Sequence, residues 1–411
     1  MAIQGLRDTS NFVTDQRPKN WREGILLLEP NGTAPLFALT SLMRNKTTDD
    51  PEFNWWDKVQ PSQRLTFVTD GTGNLATGDT TITLTTGASQ LKDGHLLYIE
   101  ETTEIMLVNG DPSSETSVNV IRGFSGTTAT SAITVTGPQV NNNLFVVGSA
   151  YEEGSAAPTG INYDPTKRTN FTQIFRNNLE ATRTAMKTRL RTGDAVREAR
   201  RECLELHSME IERALWFGGK SETVRNGKPL RTTEGVVSQI ATANVKDWAG
   251  AGKSLSDLED EMKNIFAFGS SEKMAFMGNT AVLTIQRIAR KNSSYQFMQG
   301  QKEFGMNVTR LISPFGELVM KTHPLWNRLT GGAVGGTTDV YIAIDSWMIV
   351  LDMKELVYRP FQGDDTRWVP DQQENGLDGM KAGYLTEAGL ELHHPTAHYV
   401  IKGMTTAVTD A

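Results

Sequence analysis

The stretch GDAVREARRECLELHSMEIERALWF, Gly193–Phe217, decides the reading of this chain. After its first residue it holds neither glycine nor proline, and Gly218-Gly219 follow where a helix is expected to stop. About 25 residues at the usual rise predict a rod of roughly 37 Å. Val196, Ala199, Cys203 and Leu206 make one apolar stripe, and Leu204, Ile211, Ala214 and Leu215 a second. Arg201 with Glu205, and Glu210 with Arg213, stand at spacings that allow pairing on the charged remainder. Such a rod is something for other elements to pack on. Catalysis has no use for it; a repeated structural subunit has.

The bulk composition agrees. The 411 residues suggest two or three packing units. Charged residues are 22% and hydrophobic ones 38%, which excludes wholesale disorder. The net charge of −7 argues against a dedicated nucleic-acid binder. The single cysteine, Cys203, has no intrachain partner and reads as a small core residue, so folding in a reduced cytoplasm is expected. MAIQGLRDTSNFV has neither the basic nor the hydrophobic part of a signal peptide, and no apolar run is long enough to span a membrane.

Working outward from the rod, residues 1–51 are polar with short apolar clusters, an extended arm with one short helix near Pro35–Asn45. Phe53-Asn-Trp55-Trp56 adds a docking patch. From Gln63 to Gly148 threonine, glycine, serine and valine dominate. Alternating runs Leu65–Val68, Thr81–Leu84, Leu96–Ile99, Ile105–Val108, Val118–Ile121 and Leu144–Val147 are separated by turn pairs such as Asp93-Gly94 and Asn109-Gly110. They predict a small β-barrel or sandwich inserted between non-β segments. A polar loop from Glu152 to Arg168 and an extended Thr169–Phe175 lead to the rod. Beyond it we expect a strand at Gly235–Ala241 and a capping box, Ser256 with Glu259, opening a helix through Phe268. A strand at Met274–Met277, a helix at Thr280–Arg290 and a hairpin of Val308–Ile312 with Glu317–Lys321 follow. Strands are then expected at Val340–Ile344, Ile349–Leu351, Leu385–His393 and His398–Lys402, with Arg359–Asp371 an exposed loop. The class is α+β.

Chemical motifs are weak. Gly250-Ala-Gly252-Lys253-Ser254 resembles the end of a phosphate-binding loop, with Asp345 as a possible magnesium ligand, but Asp247 stands where the first glycine belongs. A plain helix-start loop accounts for it better. His393, His394 and His398 are a conceivable metal set, but Pro395 forbids the helix that would align them, and a strand end is the simpler reading. His207 fits a buried or interfacial hydrogen-bonding role, and Cys203 has no activating neighbour in sequence. Lys187, Arg189 and Arg191 are as well explained by solvation as by contact with DNA. No catalytic, cofactor or metal residue is assigned.

Several segments together resemble the major capsid proteins of tailed bacteriophages with the Hong Kong 97-type (Johnson) fold, in the subgroup with a β-domain inserted in the extended loop. They are Phe53–Trp56, Asp93–Ile99 (DGHLLYI), Val120–Ala129 (VIRGFSGTTA), Glu152–Pro158 (EEGSAAP), Arg168–Phe175 (RTNFTQIF) and His207–Gly218 (HSMEIERALWFG), colinear from about 50 to 240. The resemblance implies an N-terminal arm, 1–51, and an extended loop, 52–172, carrying the β-domain at about 63–148. It further implies a peripheral domain, 173–244, with spine helix 193–217, an axial domain, 245–340, and returning C-terminal strands, 341–411. The quoted motifs supply subunit-contact candidates: Trp55, Trp56, Glu152, Glu153, Arg168, Phe171, Phe175, His207, Glu210 and Arg213. The implied function is a non-enzymatic subunit, made in the host cytoplasm and built as hexamers and pentamers into a virion shell. That shell encloses double-stranded DNA without sequence-specific binding, and scaffolding, portal and decoration proteins are its expected partners, with no membrane. The alternatives are a decoration or tail protein, a cellular encapsulating shell or, remotely, a nucleotide-binding enzyme on Lys253 and Asp345.

Overall fold

A computed structural model describes residues 44–409, apart from 60, 62, 69–75, 130–142, 189–193, 251, 293–296, 304–305 and 329–343. The chain divides into two units, one of them Lys58–Thr166 and the other the remainder.

In the smaller unit the six runs of alternating residues all become strands, and these close on themselves. The order around the barrel is Arg64–Val68, Thr81–Leu84, Ser117–Ile121, Ile105–Val108, His95–Ile99 and Asn143–Ser149, each pair antiparallel. Period-two patterning sends Leu65, Phe67, Ile82, Leu84, Leu97, Ile99, Met106, Val108, Val118, Val120 and Leu144 into one core. Glu104 is buried at its edge but takes both arms of the Arg122 guanidinium at 2.7 Å. A closed barrel leaves no free edge strand and needs no neighbour to complete it.

The larger unit holds two main sheets. One is ordered Arg44–Asn45, Leu356–Pro360, Gly379–Leu392, Gln173–Thr182, with Arg367–Val369 also paired to the long third strand. The other has seven strands: Val245–Asp247, Tyr399–Lys402, Met348–Leu351, Glu272–Met277, Gly316–Thr322, Met306–Ser313 and Phe297–Glu303. Its central strand splits two cores. Met274 and Phe276 join Ile211, Leu215, Trp216 and Trp326 on one side, and Ala275 and Met277 join Leu258, Met262, Ile285 and Ile288 on the other.

The rod is a helix, Ala195–Phe217, capped by the Asp194 carboxylate, which accepts from Val196 N at 2.9 Å. It stops sterically. Gly218 has φ of −58°, so no left-handed residue is needed, but a Cβ there would lie 2.5 Å from the carbonyl oxygens of both Ala214 and Thr233. The expectation of two apolar stripes is corrected: one stripe, Cys203, His207, Ile211 and Leu215 with Glu212 and Trp216, is buried, while Leu204 and Leu206 are exposed. Hydrogen-bonded partners offset the cost of burying His207 and Glu212, which stand on the inner face in place of the leucines.

Other corrections follow the same logic. Gly235–Ala241 is no strand; Val236–Gln239 is a helical turn that places Val236 and Ile240, four apart, in the core. The helix Leu255–Ile265 begins two residues before the expected box: Ser254 Oγ accepts from Asp257 N and Asp257 accepts from Ser254 N. It ends at Ile265, where Lys273 takes the last carbonyl. Arg359–Asp371 is no exposed loop, since Arg359 is buried in a strand and Arg367–Val369 is another. Arg44–Asn45 pairs in parallel with Val357–Tyr358, so the helix expected at Pro35–Asn45 does not reach its end; 35–43 lie outside the described residues. Of Val340–Ile344 only Ile344 is described, opening a 3-10 turn, and the strand Leu385–His393 is longer, Gly379–Leu392. No described helix is long and apolar enough to cross a membrane.

Candidate functional site

Four of the candidate contact residues, Trp55, Trp56, Arg168 and Phe171, lie on two strands where the chain leaves and re-enters the larger unit. Glu52–Asp57 pairs with Thr166–Phe171 as a two-stranded sheet. These strands are the outer ends of the expected 52–172 loop, so the separate unit is shorter than that loop. Alternation turns Phe53, Trp55 and Asp57 inward and Trp56 outward. The Phe53 and Trp55 rings stack at 6.0 Å, and the Arg359 guanidinium lies 5.1 Å from the Phe53 centroid.

Asp57 begins a chain of alternating charges. Its carboxylate takes His393 Nδ1 at 3.0 Å and the His394 amide at 3.3 Å, and Arg168 Nε lies 2.9 Å away as an ion pair. His393 Nε2 reaches Glu391 Oε1 at 2.7 Å, and Arg359 Nε lies 3.1 Å from Glu391 Oε2. Hydrogen bonding to Glu391, then the charge of Glu391 and contact with Asp57, outweigh burial and raise the His393 pKa. His393 is thus held between two carboxylates as an ion-pair centre. His398 faces elsewhere. Its Nδ1 accepts from Asp352 N at 3.2 Å, its Nε2 donates to His393 O at 3.1 Å, and burial lowers its pKa to about 4.

On the long helix, His207 is locked between two strands. Its Nδ1 meets Asn177 Oδ1 and its Nε2 meets Thr386 Oγ1, both at 2.7 Å. Asn177 donates its amide to Glu210 at 3.0 Å, which turns its oxygen to His207 and assigns the proton to Nδ1. Burial lowers the His207 pKa and raises that of Cys203, whose thiol donates to Asn177 O at 3.3 Å. Further along, Glu212 accepts from Trp216 Nε1 at 2.7 Å and pairs with His323 Nε2 at 2.8 Å.

Of the contact candidates, Trp55, Phe175 and His207 are buried within their own subunit. Trp56 is 60% exposed, and Glu152, Glu153, Glu210 and Arg213 are exposed. Arg168 and Phe171 are half-buried, Phe171 lying under the Lys220 ammonium at 5.2 Å. Sequence reading missed an exposed hairpin, Ser221–Arg225 with Lys228–Thr232, although its Asn226-Gly227 pair is a strong hairpin signal.

The phosphate-loop residues are spoken for. Ser254 is the helix cap, Lys253 lies over the Trp248 ring at 5.7 Å, and Asp345 accepts the Thr280 hydroxyl at 2.5 Å. Ala251 lies outside the described residues. Among the described residues no group of three or more histidine, cysteine, aspartate or glutamate side chains is placed to hold a metal.

A long packing helix, a closed inserted barrel and an α+β body define an architectural subunit. The model of the SU10 major capsid protein family matches residues 7–405, and the chain belongs to that family. Its role is that of a major capsid protein in a phage virion, assembled from many subunits. It is 28% identical over 421 residues to the major capsid protein of Pseudomonas phage PaMx41, covering 97% of this chain and 96% of that one. Among solved structures it is similar to the capsid of an empty GTA particle, with TM-score 0.47 and 9% identity, covering 94% of this chain and 95% of that one. It is likewise similar to the capsid of Myoviridae phage XM1, with TM-score 0.44 and 10% identity, over 94% and 97% of the two chains.

Proposed function

We propose that the chain builds the phage head as a Hong Kong 97-type tile. Residues 1–51 are the arm, 52–172 the extended loop bearing the barrel, and 173–244 the peripheral domain along the long helix. The seven-stranded sheet, begun by 245–340 and completed by strands after 341, forms the axial domain around which hexamers and pentamers close. The observation that supports this most directly is the colinear order of inserted barrel, rod and two-faced sheet in one chain of the family.

Trp56, Glu152, Glu153, Arg168, Phe171, Glu210 and Arg213 remain the contact candidates. The shell encloses double-stranded DNA, and an acidic chain holds it without gripping it, leaving it free to move. Scaffolding, portal and decoration proteins are its partners, and the subunit is made in the host cytoplasm. It has no enzymatic role. Electron microscopy of the purified protein, alone or with its scaffold, tests the proposal. Closed icosahedral particles with this chain as the most abundant protein are expected; a soluble monomer that never assembles, or a minor copy number in virions, overturns it.

A further inference from the structure

The sequence holds four Asn-Gly pairs, and three of them, Asn109-Gly110, Asn226-Gly227 and Asn375-Gly376, lie among the described residues. Asparagine before glycine carries a latent reaction, because a residue without a side chain lets its backbone nitrogen approach the asparagine Cγ. Both residues of each pair are exposed, and all three glycines have positive φ. Nothing stands within 4 Å of where a Cβ would be at any of these glycines. Access and steric room are therefore alike. Two things differ: what holds the glycine N–H, and which charges surround it.

At Gly110 the N–H is taken. It donates to Asp93 Oδ1 at 2.7 Å, and the Asn109 N–H donates to Asn119 O at 2.9 Å, so the pair is fastened at both residues. A nitrogen that donates to a carboxylate is turned from its own side chain and keeps its proton. The N–H groups of Gly227 and Gly376 donate to no group among the described residues. These two pairs differ in charge. Asn226 stands at the tip of the hairpin, between Arg225 and Lys228, which are registered opposite each other and make no ion pair among the described residues. The one acid of the hairpin, Glu222, is held by Arg231 at 2.9 Å. Asn375 directly follows Glu374, with Asp371 and Asp378 close by in sequence. The attacking nitrogen is a deprotonated amide, an anion that cations favour and carboxylates disfavour. The hairpin adds mobility, since a two-stranded sheet by itself is marginal in water and its turn opens readily.

We propose that Asn226-Gly227 is a self-modifying site that needs only water. The Gly227 nitrogen gives up its proton and bonds to Asn226 Cγ. The Cγ–Nδ2 bond breaks, and the side-chain nitrogen leaves as ammonia, carrying that proton. Water then opens the cyclic imide at one of its two carbonyls, and no electrons are transferred. Opening at Cγ gives aspartate, which keeps the turn, because Asp-Gly suits it as Asn-Gly does. Opening at the backbone carbonyl gives isoaspartate, whose extra backbone carbon does not fit a two-residue turn, so the Arg225↔Lys228 register is lost. Either product sets a carboxylate between two cations.

The test uses the unassembled full chain and so stands apart from the shell reading. The chain is held at mildly alkaline pH, and its peptides are mapped by mass spectrometry against a sample taken at the start. Modification reads as the mass gained when the side-chain amide becomes a carboxylate. Asn226 should convert fastest, about threefold or more ahead of Asn375 at low ionic strength, with the gap closing in about 1 M salt. Asn109 should trail Asn226 by at least about tenfold. Arg225→Gln with Lys228→Gln should slow Asn226 about threefold, and Asp93→Ala should release Asn109. Conversion of Asn109 or Asn375 as fast as that of Asn226 overturns the proposal. So does an Asn226 rate that neither salt nor the glutamine variants change. Should Asp93→Ala fail to fold, the ranking of the three sites in the wild-type chain decides by itself.

Discussion

At Trp55 and Trp56 a single step along one strand reverses the consequence of the same substitution, because alternation sends one ring inward and the other out. Trp55→Ala should lower subunit stability by about 3–5 kcal/mol, the range for emptying a large buried ring. Trp56→Ala should leave it within about 0.5 kcal/mol and instead weaken assembly, as an exposed aromatic anchor would. Urea unfolding of the unassembled subunit, set beside particle yield, separates the two; equal destabilisation by both would refute the assignment. His393 and His398, five residues apart, differ in the same way toward pH. His398 has a folded pKa of about 4 against an ordinary 6.5, so it stays neutral when the unfolded chain takes up a proton. Its contribution is full above pH 6.5 and is lost as pH falls toward 4, by about 3 kcal/mol in all. The raised pKa of His393 has the opposite sign: its stabilisation is full below 6.5 and disappears as pH rises through the folded value. His398→Asn should therefore flatten the acid limb of stability between pH 7.5 and 4.5, and His393→Gln should cost more at pH 6 than at pH 9. Urea midpoints across that range are the check, and parallel pH profiles for the two variants would contradict the electrostatics.

The secondary elements show where sequence is a sufficient guide and where it is not. The six barrel strands were legible because a period of two with Asp-Gly and Asn-Gly turns is decided locally. The long helix was legible in extent, but its buried face was not, because His207 and Glu212 enter the core only by partners on other elements, Asn177, Thr386 and His323. Among the contact candidates, Phe175 and His207 are buried, since a shared motif marks a fold's core as readily as its surface. The capping box was placed two residues late because Ser254 and Ser256 each precede an acid by three, at Asp257 and Glu259. A tertiary contact lies at the Ser254 start: Lys253, just before the cap, is held in a parallel bridge with Val408. Lys273, buried beneath the far end of this helix, donates to Ile265 O at 2.7 Å and to Phe268 O and Ala397 O at 2.6 Å. Ser254→Ala should cost about 1 kcal/mol and Ser256→Ala clearly less. Lys273→Met, which strands three carbonyls, those of Ile265 and Ala397 in buried contacts, should cost about 3 kcal/mol or more. Thermal midpoints of the three variants order them, and a Ser256 effect equal to that of Ser254 would restore the later cap.

For the whole molecule, the division into two units makes a demand on folding that a continuous core would not. The insert leaves after Asp57 and returns at Lys167, and the strands at those points, Glu52–Asp57 and Thr166–Phe171, pair with each other. The gap left by removing the insert is therefore one that a tight turn can close. On the other side of the cut, Lys58–Thr166 brings a closed barrel with its own core. Replacing residues 58–166 with a short glycine-serine linker should leave a soluble body with native helix and sheet content, and the excised barrel should unfold cooperatively by itself. Circular dichroism and calorimetry of both fragments are the measurement. Two folded fragments support an insert that serves the surface of the shell rather than the integrity of its tile. Should the body precipitate while the barrel folds, the paired strands at the base would depend on the insert, and the subunit would have to be regarded as one cooperative whole.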